Sequence, residues 1–164
     1  KTLPINSEKI SFETIEVEIP SNAENDKLCE AERIFKLHLE GRDDELPYEK
    51  MELTTIVAGA KRIVTLKDGP QSYFYTLSGL RLGEAVFLGT PGELFTEIGI
   101  RIQKESPFEN TFVCCLTNGG DTYFPTSSAY DEGGYETATS YLKKGGDDII
   151  VGGVKKLFNK LKEV

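Results

Sequence analysis

Polar and apolar residues alternate from Lys9 to Ile19, with the β-branched Ile15, Val17 and Ile19 on one side. A period of two built from such side chains predicts a half-buried strand, ended by Pro20. The period then changes. Leu28, Ala31, Phe35 and Leu39 recur at helical spacing, with Ser21 or Asn22 placed to cap that helix and Gly41 to stop it. After the acidic turn Asp43-Asp44-Glu45, a second amphipathic helix is predicted from about Tyr48. It carries Leu53, Ile56, Val57, Ala60, Ile63 and Val64 on one side and runs out at Asp68-Gly69-Pro70. Strands over 72–82 and 85–89, joined tightly at Gly83-Glu84, read as a hairpin. The second of them leads through Thr90 into a helix ending near Lys104, and a further strand follows over 111–116. Strand, helix, strand in that order predicts a parallel crossover. Residues 147–163 read as a closing helix, although Gly152-Gly153 lowers the helical propensity of its first half.

These elements predict an α/β fold: a mixed sheet with packed helices, including one strand-helix-strand crossover. No internal repeat, low-complexity segment or domain boundary interrupts the chain, so residues 1–164 are read as a single domain or part-domain. The first residue is Lys1 and no signal-peptide pattern follows it, so the chain is either processed or cut from something longer, and a fragment is favoured.

Composition narrows the function classes. A hydrophobic content of 38% and a mean hydropathy of -0.31 are those of an ordinary soluble protein, and no stretch has the length of about 20 apolar residues that a membrane span needs. A net charge of -8 repels phosphate backbones and argues against nucleic acid as a partner. The basic C-terminus, with Lys155, Lys156, Lys160 and Lys162 around Leu157, Phe158 and Leu161, has two readings. One is contact with an anionic membrane surface; the plainer one is a surface helix with its lysines in water near its C-terminal dipole end. Three cysteines, Cys29, Cys114 and Cys115, make neither a disulfide framework nor a metal-ligand spacing. Cys114 and Cys115 lie in the apolar run 112–116 and are expected to be buried, inert thiols on opposite sides of a strand.

The segments that could carry chemistry lie between Thr90 and Glu136. Thr90-Pro91-Gly92-Glu93 has the pattern of a capping box, with Thr90 at the cap, Pro91 at the first helical position and Glu93 at the third. The same placement also fixes a carboxylate at a strand-to-helix junction, which suits a metal ligand. Asn118-Gly119-Gly120-Asp121 makes a tight loop in which glycine permits positive φ, and Tyr123 follows, kept extended before Phe124-Pro125. Tyr123 reads either as a rim aromatic or as a site residue. In Gly133-Gly134-Tyr135-Glu136 two glycines let the backbone pass close to something, and Tyr135 is either packing or functional.

Taken in order, Pro91-Gly92-Glu93, Asn118 to Tyr123, and Tyr135-Glu136 resemble the C-terminal part of the catalytic domain of the neutral ceramidases, zinc-dependent amide hydrolases. The spacing of twelve from Tyr123 to Tyr135 is shared, while the first interval is shorter here. The resemblance runs from about Leu80 to Thr139. It implies that Glu93 is a zinc ligand, that Tyr123 is a ligand or near-ligand through its phenolic oxygen, and that Tyr135 donates to the oxyanion of an amide carbonyl. It implies a ceramide-like N-acyl lipid as substrate, and a soluble, secreted or cell-envelope location.

The family's zinc takes two further histidines from upstream, whereas this chain has a single one, His38, outside any such motif. The missing ligands are therefore expected from a preceding segment of the same protein or from a partner chain, and the chain alone is expected to be inactive. Gly120 replaces a family aromatic and opens the site. Two rival readings remain: a non-catalytic domain that binds a ligand or partner on the same scaffold, and a different hydrolase acting on another amide or ester. No Gly-x-Ser-x-Gly elbow, phosphate loop, His-Glu-x-x-His or calcium-loop spacing supports another enzyme class.

Overall fold

The alternation near the N-terminus becomes β1 (Ile10–Pro20), which runs antiparallel to β2 (Ser72–Leu82) along its whole length, from Ile10 opposite Leu82 to Pro20 opposite Ser72. The computed structural model describes residues 9–120 and 122–163. Gly83, at φ 60°, turns β2 into β3 (Ala85–Gly89), the predicted hairpin. Helix α3 (Thr96–Glu105) then carries the chain to β5 (Asn110–Cys114), which pairs parallel with β3. The expected crossover is present, and the strand order is β1-β2-β3-β5. A separate two-stranded parallel ribbon joins β4 (Glu93–Leu94) to β6 (Tyr123–Phe124).

Alternation gives the main sheet two faces of different fate. Val17, Ile19, Tyr75, Leu77, Val86 and Leu88 point to one side, where α3 and α6 (Gly146–Lys162) cover them with Ile98, Ile102, Val154, Leu157, Phe158 and Leu161. Burying each such side chain stabilises the fold by about 1.5–3 kcal/mol. Of the two glycines that weaken α6 as a helix, Gly153 has a packing role, whereas a Cβ at Gly152 would meet nothing within 4 Å. A Cβ at Gly153 would lie 2.4 Å from Val17 Cγ1, and one at Gly79 in the facing strand would lie 2.6 Å from Leu161 Cδ1. Small residues thus let helix and sheet approach closely. With Leu157, Phe158 and Leu161 spent on this core and the lysines of α6 in water, the helix keeps no apolar stripe for a membrane surface. Among the described residues, no helix is long and apolar enough to cross a membrane.

The opposite face of the same sheet carries Ile10, Phe12, Phe74, Leu80, Phe87 and Phe112, all exposed. Cys114 shares this face, and Cys115 lies just past the strand end. Both thiols are exposed, contrary to the buried state expected of an apolar run. The physical reason is that β5 is an edge strand with one bare face, a circumstance that hydrophobicity along the chain does not reveal.

A second cluster joins α1 (Leu28–Leu39) to α2 (Lys50–Leu66) through Ala31, Ile34, Val57, Ala60 and Ile63, with Leu46 between the helices. Two expectations fail here. Ser21 and Asn22 do not cap α1; their amides donate to the Gln71 and Tyr141 carbonyls at 2.8 Å, and a 3₁₀ turn over Asn25–Lys27 intervenes. Leu39 is exposed at the helix end rather than packed. Gly41, at φ 69°, stops the helix as predicted. Buried Arg62 on α2 ties the segment leading into α1, donating to Asn22 O at 3.2 Å and Glu24 Oε2 at 2.9 Å.

Candidate functional site

The site is built where β3 and β5 end. Thr90 is fully buried between them; its amide donates to Cys114 O at 2.9 Å and its carbonyl accepts from Thr117 N at 2.9 Å. Gly92 must then be glycine for two reasons. Its φ is 64°, and a Cβ there would lie 2.4 Å from the Phe124 ring and 2.5 Å from Thr122 O. The loop across from it is tied in the same way, since Gly92 N donates to Gly119 O and Leu116 N to Gly92 O. Asn118 at φ 63° and Gly119 at φ 148° supply the predicted tight turn.

Beyond Gly92 the chain does not enter a helix, and this corrects the capping-box expectation. Glu93 and Leu94 pair with Tyr123 and Phe124, Glu93 N donating to Thr122 O at 3.0 Å and Phe95 N to Phe124 O at 3.1 Å. Those amides are therefore taken by a strand partner. Helix α3 begins only at Thr96, with Phe95 at its cap and no side chain bonded there. The Glu93 carboxylate is consequently exposed and has no capping duty.

Register places Tyr123 directly opposite Glu93. The half-buried Tyr123 is anchored through its backbone, as Ser140 Oγ donates to Tyr123 O at 2.8 Å and Tyr141 N donates to Thr122 Oγ1 at 3.0 Å. Between these anchors the chain makes two short helices, α4 (Ser127–Glu132) and α5 (Tyr135–Thr139), with the Thr126 side chain capping α4 by accepting from Ala129 N. Gly133 and Gly134, at φ 79° and 123°, turn the chain from one helix into the other. They were expected to allow a close backbone approach, but a Cβ on Gly133 would meet nothing within 4 Å, so what they supply is direction.

The outcome is convergence. Tyr135 opens α5 with its ring edge-on to that of Tyr123, the centroids 6.4 Å apart and the planes at 75°. Glu93, Tyr123 and Tyr135, separated by 30 and then 12 positions, thus meet at the end of the small ribbon. Glu93 raises the Tyr123 pKa most, followed by desolvation and by Tyr135 and Glu136. The Tyr123 phenol therefore ionises at a higher pH than an unperturbed tyrosine. Glu136 is the fourth member of the cluster. Its position directly after Tyr135 was visible in the sequence, but nothing there indicated that its charge is felt at Tyr123.

The other wall of α5 borders a cleft of about 600 Å³ between the α1–α2 pair and α4–α5, lined by Ile34, Ile56, Ala60, Arg62, Gly134 and Ala138 among others. The cleft and the tyrosine pair share one short helix. His38 takes no part in the cluster: its Nδ1 lies 2.9 Å from Asp43 Oδ1 at the end of α1.

The donor set meets the chemistry of a zinc site only in part. Glu93 offers an exposed carboxylate and Tyr123 a neutral phenol, and among the described residues no group of three or more His, Cys, Asp or Glu side chains could hold a metal ion. These side chains suit one side of a coordination sphere and do not complete it.

No family model and no curated protein matches the chain. Among solved structures it is similar to a ceramidase complexed with C2, with 19% identity and a TM-score of 0.49 over 57% of this chain and 15% of that one. It is also similar to the neutral ceramidase from Pseudomonas aeruginosa, with 18% identity and a TM-score of 0.43 over 56% of this chain and 16% of that one. The chain thus spans less than a fifth of the length of these two structures.

Proposed function

We propose that this chain is one part of a metal-dependent hydrolase of N-acyl amides, with ceramide-like lipids as the substrate class, and that it supplies one edge of the active site. The observation that carries this reading is the convergence of Glu93, Tyr123 and Tyr135, three residues picked out by motif order. In it, Glu93 is a carboxylate ligand to zinc, and the remaining ligands come from a preceding segment or a partner chain. Zinc, when bound, supplies Lewis acidity and a nucleophile usable at neutral pH.

The chain's own residues do the rest of the described work. Tyr123 is a phenol whose ionisation the neighbouring Glu93 opposes most, and it offers its oxygen lone pair or its proton without adding a second negative charge beside Glu93. Tyr135 donates its hydroxyl to the oxygen on which negative charge develops, a contribution of about 3 kcal/mol for one such donor. The apolar wall of the cleft behind α5 accommodates an aliphatic chain of the substrate.

Elemental analysis of the complete polypeptide tests this reading. The expected result is one zinc per chain, lost in Glu93→Ala; absence of zinc from both samples overturns it. A second reading, a domain that binds a partner without turnover, is favoured by one observation, the bare aromatic face of the sheet.

A further inference from the structure

Four large apolar side chains stand in one row across the uncovered face of the main sheet. Phe12 lies opposite Leu80, Leu80 opposite Phe87, and Phe87 opposite Phe112. They remain 63%, 37%, 40% and 49% exposed, and Ile10 extends the patch at 70%. Phe87 and Phe112 stack on each other, with centroids 4.9 Å apart and planes at 16°. Exposed apolar residues are usually scattered; a contiguous row of this kind marks an interaction surface.

We infer that this face is the docking surface for an amphipathic helix, from outside residues 9–163, whose apolar stripe is bordered by lysines and arginines. The helix follows from the sheet. β3 and β5 form a parallel pair joined by a crossover helix. Helices α3 and α6 already cover one face of it, and where both faces of parallel strands are buried it is helices that cover them. The basic border follows from charge. Alternation brings Glu16 and Glu18 of β1 to this side, while Glu84 in the hairpin turn and Glu109 before β5 stand exposed at the strand ends. None of the four strands presents a lysine or arginine here, because Arg81 points inward and is buried. The same carboxylates disfavour a second copy, which would bring like charges together, and an anionic lipid surface. The inference holds whether or not the Glu93 cluster is catalytic.

Cys114 reports on this face and Cys29 on α1, both exposed. In a Cys115→Ser background, alkylation of each thiol by iodoacetamide is followed by peptide mass mapping. The probes are an 18-residue leucine–lysine helix with a single apolar stripe and its leucine–glutamate counterpart. The lysine peptide is expected to slow Cys114 alkylation at least tenfold, to leave Cys29 unchanged, and to lose its effect in a Phe87→Ser/Phe112→Ser variant. Phe12→Ser, on the other edge strand, is expected to weaken protection as well if the double variant fails to fold. The proposal is overturned if Cys114 is not protected or if both peptides protect it equally. It is also overturned if sedimentation shows a dimer that shields Cys114 without peptide, or if phosphatidylserine vesicles give the protection.

Discussion

The two faces of the β1–β2–β3–β5 sheet are made of similar residues and have opposite fates. On one, Leu77, Val86 and Leu88 are sealed beneath α6, with contacts tight enough to require glycine at 79 and 153. On the other, Phe12, Leu80, Phe87 and Phe112 stand in register with no helix across them. Hydrophobicity alone does not separate these faces; what separates them is whether a second layer lies within the described residues. On the sealed face shape is constrained to fractions of an ångström, so removing or adding one methyl group is felt. On the bare face the same residue types contribute little until something covers them.

Substitutions that act on one face at a time can break this comparison. Leu157→Ala, which empties the centre of the sealed face, is expected to cost about 3 kcal/mol, read from the urea midpoint at constant slope. Gly153→Ala is expected to cost about 2 kcal/mol, because overpacking against Val17 and Leu77 outweighs the gain in helix propensity. Phe87→Ala on the bare face is expected to cost about 1 kcal/mol, less than at Leu157, because the stacking with Phe112 and only a partial burial are lost from a side chain that is 40% exposed. A loss there as large as at Leu157 would show that the outer face already supports the fold. The smallest effect is electrostatic. Glu93 is the main cause of the raised Tyr123 pKa, so Tyr123 ionises at higher pH than an unperturbed tyrosine. Glu93→Gln removes that negative neighbour, and the phenol should titrate at lower pH, nearer its ordinary value, in an ultraviolet titration.

The same contrast explains what was legible in the sequence. Period-two alternation located β1 and the β2–β3 hairpin, and element order located the parallel β3–α3–β5 unit, because these depend on pattern within a segment. The two-residue strands β4 and β6 left no such pattern. They exist because Gly92 brings the chain against Phe124 and Thr122, so a segment with the local signature of a helix cap is claimed by a distant strand. The exposure of Cys114 was hidden for the related reason that an apolar strand does not say which of its faces will be covered. For the candidate site, motif order singled out Glu93, Tyr123 and Tyr135 without geometry. What brings them together is the β4–β6 register and the Ser140 anchor, both products of tertiary contact.

If the Glu93–Tyr123–Tyr135 cluster is a working edge of an active site, turnover depends on it. In the complete polypeptide acting on an N-acyl amide of ceramide type, Tyr135→Phe removes one hydroxyl and leaves the ring against Tyr123. The expected result is a kcat lowered about 100-fold with KM nearly unchanged, as for loss of a donor that acts only in the transition state. A variant with undiminished kcat would contradict it.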